Sequence, residues 1–296
     1  MQKKIKYFDP SIERKKKISE KNFQLIRGTN IPLPSEVEIS ESGTCNRICS
    51  FCPRSAPDFQ DIKEFISPNL HTKLINELKS LDYKGVVRYS GFVEPLLDKN
   101  IYNLINETKT NIPGVRCEIV TNGDVLDLLR LKKLFKNGLD TLLISVYDGL
   151  EDVKKFQKMC DKAGLKQNQY VIRHRYYSEE KDFGLTISNR AGMMENSEYK
   201  IPALKTQLNL KCFYPSYTFF MDYNGDVLMC PHDWGKKMIL GNLKKDSFLD
   251  IWTSKKAIRI RKKLNKADRG FSPCNVCDVS GELIGKKHSS AWDGVN

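Results

Sequence analysis

The stretch CNRICSFC, residues 45–52, coming just after EVEIS at residues 36–40, decides how this chain folds. EVEIS alternates polar and apolar side chains with the period of a strand. Beyond its exit stand Cys45, Cys49 and Cys52 in the spacing Cys-x3-Cys-x2-Cys. Three thiolates can ligate three irons of a [4Fe–4S] cube and leave the fourth iron open to chemistry. Structural zinc is the rival, but it wants four closed ligands. No nearby histidine completes such a set, the next being His71.

Outward from this motif, strand and helix signals alternate. Leu70, Leu74, Leu78 and Leu81 make one apolar stripe over Asn69–Leu81 and predict an amphipathic helix. Strands are expected at Gly85–Ser90, Val115–Thr121, Thr141–Tyr147 and Tyr170–Tyr177, with helices at Asn100–Thr108, Asp127–Lys136 and Glu151–Ala163, the last closed by Gly164. Repeated strand–helix units imply an α/β fold with a parallel sheet, either open or curled into a full or partial barrel, and periodicity leaves that choice open. Residues 1–34 read as a basic N-terminal arm ending at Pro32 and Pro34, and residues 35–205 as the main domain.

The pattern changes after about residue 205, and residues 206–296 read as a small C-terminal α+β domain. Tyr217–Asp222 and Val227–Cys230 flank Asn224-Gly225, a strong hairpin signal. One amphipathic helix is expected from about Ser247 to Asn265. Four cysteines are distributed around these elements: Cys212 before the hairpin, Cys230 at its end, and the pair Cys274 and Cys277 after the helix. Four thiolates placed in this way can close around zinc or a [4Fe–4S] cube, and spacing alone does not separate the two. Cys117, in a strand, and Cys160, in a helix, read as buried structural thiols.

Bulk properties agree. Nine cysteines are an odd number, so a complete disulfide framework would strand one of them. No apolar run is long enough to span a bilayer, and the N-terminus lacks the apolar core of a signal peptide, which sets the expectation of a soluble cytoplasmic protein with no membrane partner. The net charge of +13 is uneven: residues 1–27 hold nine Lys/Arg against three Asp/Glu, residues 236–269 twelve against three, and the body between is near neutral. Such charge can bind nucleic acid or a phosphorylated ligand. No nucleic-acid module is recognisable, so these stretches are read as solvated faces.

The motif CNRICSFC at the end of the first strand of a strand–helix series resembles the radical S-adenosylmethionine (SAM) superfamily. The resemblance implies a partial (β/α)6 barrel whose cluster binds and reductively cleaves SAM, giving a 5′-deoxyadenosyl radical. It also implies that Phe51, Glu94, Thr121, Asn122, Ser145 and Tyr147 line the SAM pocket, Glu94 receiving the amino group. In YSGFVEP, Val93 stands where the family usually has glycine before that acid. The order Cys, hairpin, Cys, a helix beginning SFLDIW, then Cys-x2-Cys resembles the Twitch domain, a shortened SPASM extension holding one auxiliary [4Fe–4S] cluster. The cofactors implied are therefore two [4Fe–4S] clusters and SAM, with Cys45, Cys49, Cys52, Cys212, Cys230, Cys274 and Cys277 as ligands.

CNRICSFCP, EPLL, TNGD, ISNRAG and LGN further resemble the Twitch-bearing dehydrogenases that oxidise a secondary alcohol of an aminocyclitol to a ketone. That likeness implies Arg190, in ISNRAG, and His232, just after Cys230, as residues near substrate. Those relatives carry an acidic residue at the latter place. This departure, the extra residues before Asp182 and the longer N-terminus point to a different substrate. The function expected is oxidation of an alcohol on a small sugar-like or cyclitol-like molecule, with a flavodoxin or ferredoxin as electron donor. Radical epimerisation, with Cys117 as the one strand-borne thiol, modification of a ribosomally made peptide, and a non-catalytic zinc or nucleic-acid protein are the alternatives.

Overall fold

The computed structural model describes residues 10–176 and 188–295. Tyr177, the expected end of a strand, and the extra residues before Asp182 lie outside the described residues. The chain begins with α1 (Pro10–Lys21), β1 (Glu36–Ser40), β2 (Ser42–Gly43), β3 (Ile62–Phe65), α2 (Pro68–Ser80), β4 (Val86–Tyr89), α3 (Ile101–Asn111), β5 (Arg116–Thr121), α4 (Leu128–Lys136), β6 (Thr141–Val146), α5 (Leu150–Lys162) and β7 (Tyr170–His174). It continues through α6 (Tyr214–Tyr217), β8 (Thr218–Asp222), β9 (Asp226–Leu228), β10 (Ile239–Asn242), α7 (Phe248–Trp252), α8 (Lys255–Asn265) and α9 (Lys286–Asp293).

One eight-stranded sheet has the order β10-β9-β8-β1-β4-β5-β6-β7. Six of its strands are parallel: β1, β4, β5, β6 and β7 in succession, and β8 on the other side of β1. The sixth parallel strand thus comes from beyond residue 205. Ile39 lies opposite Met221 and Val37 opposite Phe219, so the late hairpin extends the main sheet instead of standing apart from it.

Alternation along these strands separates two faces. Val37, Val87 and Cys117 stand side by side, as do Tyr89 and Ile119, and all belong to the apolar core that also holds Leu74, Leu78, Ile105 and Leu134 from the helices. Full burial of one such leucine contributes about 1.5–3 kcal/mol. Glu38, Arg88 and Glu118 occupy the alternate positions and make a polar inner face. Cys117 is completely buried on the helix side, so its thiol points away from that inner face.

Beyond elements that the sequence reading did not include, β3, β10 and α9 among them, two elements differ from it in kind. Pro10–Lys21 is helical, and it packs under the N-terminal ends of the strands. Arg14 pairs with the fully buried Glu118 and donates to Thr141 Oγ1 at 3.3 Å, and Ser19 Oγ lies 3.0 Å from Ser35 Oγ. The expected Ser247–Asn265 helix is two helices. The break falls at Thr253-Ser254, because Ser254 Oγ accepts from Ala257 N at 3.1 Å and caps α8 afresh.

Candidate functional site

The loop after β1 and β2 carries the first three cysteines. Cys52 N donates to Cys49 O at 2.9 Å, and Cys45 Sγ accepts from Arg47 N at 3.5 Å and Asn122 Nδ2 at 3.9 Å. Arg54, buried one residue past Pro53, fixes the loop: its guanidinium donates to Phe92 O at 2.7 Å, Gly43 O at 2.9 Å and Asp61 Oδ1 at 2.5 Å. On the open side Arg47 pairs with Asp124 and Asp148, which follow β5 and β6, and lies over the Tyr147 ring at 5.3 Å. All three thiols are free and half-buried. Burial, then the neighbouring Cys52 sulfur, pushes the Cys49 thiol up to about 12. Thiols driven up in this way, one against another, favour a cation that takes their protons' place.

Glu94, Thr121 and Asn122 are brought together beside this loop. The Glu94 carboxylate is 1% exposed and accepts from Asn122 N at 2.7 Å, Thr121 Oγ1 at 2.6 Å and Leu96 N at 3.0 Å. Burial outweighs those bonds and pushes its pKa up to about 7. Asn122 reaches Asn46 Oδ1 at 2.8 Å, which ties the end of β5 to the cysteine loop. Phe51 and Tyr147 pack ring to ring at 5.4 Å and, with Arg175, Tyr176 and Tyr199, line a cavity of about 280 Å³. Ser145 lies just below, accepting from Arg173 Nη1 at 3.4 Å.

The second group sits in a small apolar cluster. Cys212, Cys230 and Cys274 pack with Met229, Ile260, Leu264 and Phe271, and none of the four thiols is in a disulfide. Burial, then Cys274, Cys212 and Cys277, drives the Cys230 thiol far above its ordinary value. Cys212 is bridged to Gly281, where a Cβ would lie 2.3 Å from Cys212 Sγ, so only glycine leaves room for that sulfur. Arg269, 1% exposed, donates to Leu210 O, Lys211 O and Val279 O at 2.8–2.9 Å and clamps the segments carrying Cys212 and Cys277 together. Among the described residues no set of three or more Cys, His, Asp or Glu side chains closes to the spacing of a bound metal ion. The fit to an iron–sulfur centre therefore rests on the donors: mutually repelling free thiols, a glycine cradle and an apolar shell.

Arg190 and His232 meet between the two cysteine groups. Arg190 Nη1 lies 3.4 Å from His232 Nδ1, and its charge also acts on the Cys52 thiol. Arg190 and Ala191 both have left-handed backbone, at φ 46° and 54°, a conformation that costs non-glycine residues energy. Asn189, fully buried, holds that turn: its side chain donates to Val276 O at 2.7 Å and its backbone N–H to the Asp278 carboxylate at 3.0 Å. The turn is thereby fastened to the Cys274–Cys277 loop. Burial, then Arg190, pushes the His232 pKa down to about 3, so its imidazole is neutral, and Tyr214 packs edge-on against it at 5.0 Å. The sequence named these two residues as candidates, and the structure brings them together, but it did not name Arg54, Arg269, Gly281 or Tyr214, whose partners are set by tertiary contact.

Residues 39–178 match the radical SAM superfamily, and residues 212–278 match SPASM, an iron–sulfur cluster-binding domain. The chain is 32% identical over 245 residues to the S-adenosyl-L-methionine-dependent 2-deoxy-scyllo-inosamine dehydrogenase of Niallia circulans, covering 82% of this chain and 92% of that protein. It resembles the crystal structure of BtrN in complex with AdoMet and 2-DOIA with a TM-score of 0.72 at 30% identity, covering 88% of this chain and 98% of that one. A structure of anSMEcpe with bound AdoMet shares the fold, with a TM-score of 0.51 at 12% identity over 88% of this chain and 92% of that one.

Proposed function

The chain belongs to the radical SAM superfamily, and on that footing we propose that it oxidises a secondary alcohol of a small cyclitol-like molecule to a ketone. The 2-deoxy-scyllo-inosamine dehydrogenase, to which it is 32% identical, supports that substrate class. The observation that carries the reading is the Arg190–His232 contact, seated between the Cys52 loop and the Cys230 and Cys274–Cys277 segments.

Cys45, Cys49 and Cys52 hold the first cluster, and Cys212, Cys230, Cys274 and Cys277 the second. When bound, the first supplies reductive cleavage of SAM and so a radical able to take hydrogen from carbon, and the second supplies a place for the electron left over. The rest falls to the protein. Glu94 receives the SAM amino group, helped by Thr121 and Asn122, which aim its carboxylate. Phe51, Ser145 and Tyr147 line the pocket beside it. Arg190 and His232 position the substrate hydroxyl, His232 being held neutral by burial and by the neighbouring Arg190. Per turnover one alcohol and one SAM give one ketone, 5′-deoxyadenosine, methionine and a proton, with one electron taken in and one released. A flavodoxin or ferredoxin is the class of donor that fits the electron taken in.

A thiol hydrogen donor would be needed for epimerisation, and Cys117 faces the helix layer. The deciding experiment uses substrate deuterated at the reacting carbon. Deuterium should appear in 5′-deoxyadenosine, product and 5′-deoxyadenosine should form in equal amounts, and Cys117→Ala should keep its activity. Solvent deuterium at the reacting carbon of the wild-type product would refute oxidation and establish epimerisation.

A further inference from the structure

The outer face of α8 carries charge that the fold leaves uncompensated. Some exposed lysines elsewhere stand against acids of their own helix, Lys154 with Glu151 and Lys155 with Asp152 on α5, Lys73 with Glu77 on α2. On α8 Lys263 pairs with Asp268 at 3.1 Å, whereas Lys255, Arg259, Lys262 and Lys266 have no ion-pair partner among the described residues. Together with Ile258 and Lys263 these side chains line a groove of about 610 Å³.

The other face of the same helix belongs to the second cysteine group. Ile260 and Leu264 are buried in the apolar cluster with Cys212, Cys230 and Cys274, and Cys212 N donates directly to Leu264 O at 3.2 Å. Only the thickness of one helix, roughly 10 Å, separates the basic groove from the sulfurs. A cationic surface so near a buried iron–sulfur site is matched in charge by an acidic protein, and long-range attraction of this kind steers encounter.

We propose that the α8 groove docks a small acidic carrier protein that exchanges single electrons and, in its oxidised form, takes up the electron released at each turnover. The inference rests on the reading of the chain as an alcohol-oxidising radical SAM enzyme, in which one electron enters when SAM is cleaved and one leaves as the alcohol becomes a ketone. The groove lies beside the second cysteine group, where that reading leaves the electron. Nucleic acid is disfavoured: the free cations occupy one helix about 16 Å long, with Ile258 in the groove and no aromatic ring lining it.

The test is binding of an oxidised flavodoxin, as the acidic probe, to the anaerobically reconstituted full chain, measured by titration calorimetry at low and moderate salt. Binding is expected at low salt and should weaken at least tenfold on raising it. The triple change Arg259→Glu, Lys262→Glu and Lys266→Glu should weaken it by about tenfold or more with iron content and the visible spectrum unchanged. Lys158→Glu with Lys162→Glu on α5, equal in the sign of its charge change, should alter it less than twofold. If the triple variant loses iron, Arg259→Gln with Lys262→Gln gives the same comparison at smaller amplitude. Absence of binding at low salt, wild-type affinity in the α8 variants, an equal loss in the α5 variant, or displacement of flavodoxin by a short DNA duplex would each overturn the proposal. Loss of binding in the α8 variants alongside failure of alcohol oxidation with a chemical reductant would remove the functional reading and leave the docking face standing.

Discussion

A carboxylate offers about four lone-pair sites, and at Glu94 the chain already uses three, through Asn122 N, Thr121 Oγ1 and Leu96 N. One site remains, enough for one N–H of the SAM ammonium. Burial holds this carboxyl up to about 7 in the free protein, above its ordinary 4.5. Ionising it therefore costs folding stability progressively from about pH 4.5 to about 7, while SAM binding favours the ionised form. SAM affinity should accordingly rise with pH up to about 7 and then level. Glu94→Gln should remove that step and weaken binding at pH 7.5 by roughly tenfold to a hundredfold, the loss of one charge-assisted hydrogen bond. Calorimetric titration of SAM across this pH range checks both, and an unchanged affinity would place the ammonium elsewhere, as Val93 in the place of a family glycine allows. At this scale the sequence was most legible where candidate ligands are spaced along a short stretch, as with Cys45, Cys49 and Cys52, which lie on one loop. It was silent where one residue serves a distant one: Arg54 reaches Phe92, Arg269 reaches Leu210, and Gly281 makes room for Cys212.

Among the elements, most strands and helices that alternate in apolar pattern lie within a residue or so of their expected bounds, because in β1, β4, β5 and β6 one face is core, whereas α3 runs three residues past Thr108 and β7 stops at His174. α1 was hidden by its own composition. Four consecutive basic residues, Arg14–Lys17, read as a solvated arm, yet Arg14 is drawn to Glu118 on the inner face of the sheet. Burial works to raise the Glu118 carboxyl, but Arg88 and then Arg14 outweigh it and hold it well below the usual range. Its contribution to stability is thus present above pH 4.5 and is lost only in strong acid. Removing one partner of a buried ion pair costs about 3–5 kcal/mol, and Arg88 and Arg116 remain on Glu118 to soften that loss. Deleting residues 1–21 should lower the melting temperature by on the order of 5 °C at neutral pH. SAM affinity and the iron of the first cysteine group should survive, because α1 lies at the strand ends opposite the Cys45–Cys52 loop. A truncated chain that melts with the full-length one in differential scanning calorimetry would mean that α1 adds nothing to the barrel floor.

In the whole molecule, the two cysteine groups are far apart in sequence and lie at opposite ends of neighbouring strands, Cys45 past the C-terminal end of β1, and Cys212 and Cys230 at the N-terminal end of β8. Cys45 follows β1, Cys230 follows β9, and β1 and β8 are paired over five residues from Glu36↔Thr218 to Ser40↔Asp222. A boundary near residue 205, natural from the change of pattern, does not part the sheet, and no periodicity argument could have shown that a late strand pairs with the first. Each group nonetheless has its own supports: Arg54, Gly43 and Asn122 for the first, Arg269, Gly281 and the Met229–Leu264 cluster for the second. Separate scaffolding predicts independent loading. Anaerobically reconstituted protein should bind about eight irons, two cubes' worth. Replacing Cys45, Cys49 and Cys52 by Ala should leave about half of that iron and abolish SAM cleavage, because only the first group leaves an iron open to SAM. Replacing Cys212 and Cys230 should also leave about half, but with SAM cleavage by a chemical reductant retained and ketone formation lost, since the electron from the alcohol then has no acceptor. Iron and sulfide analysis beside the yields of 5′-deoxyadenosine and ketone separates these outcomes. Zinc in the second group, or ketone formation that survives its loss, would strip that group of the role of electron acceptor and leave it a structural clasp between β9 and the C-terminal segment.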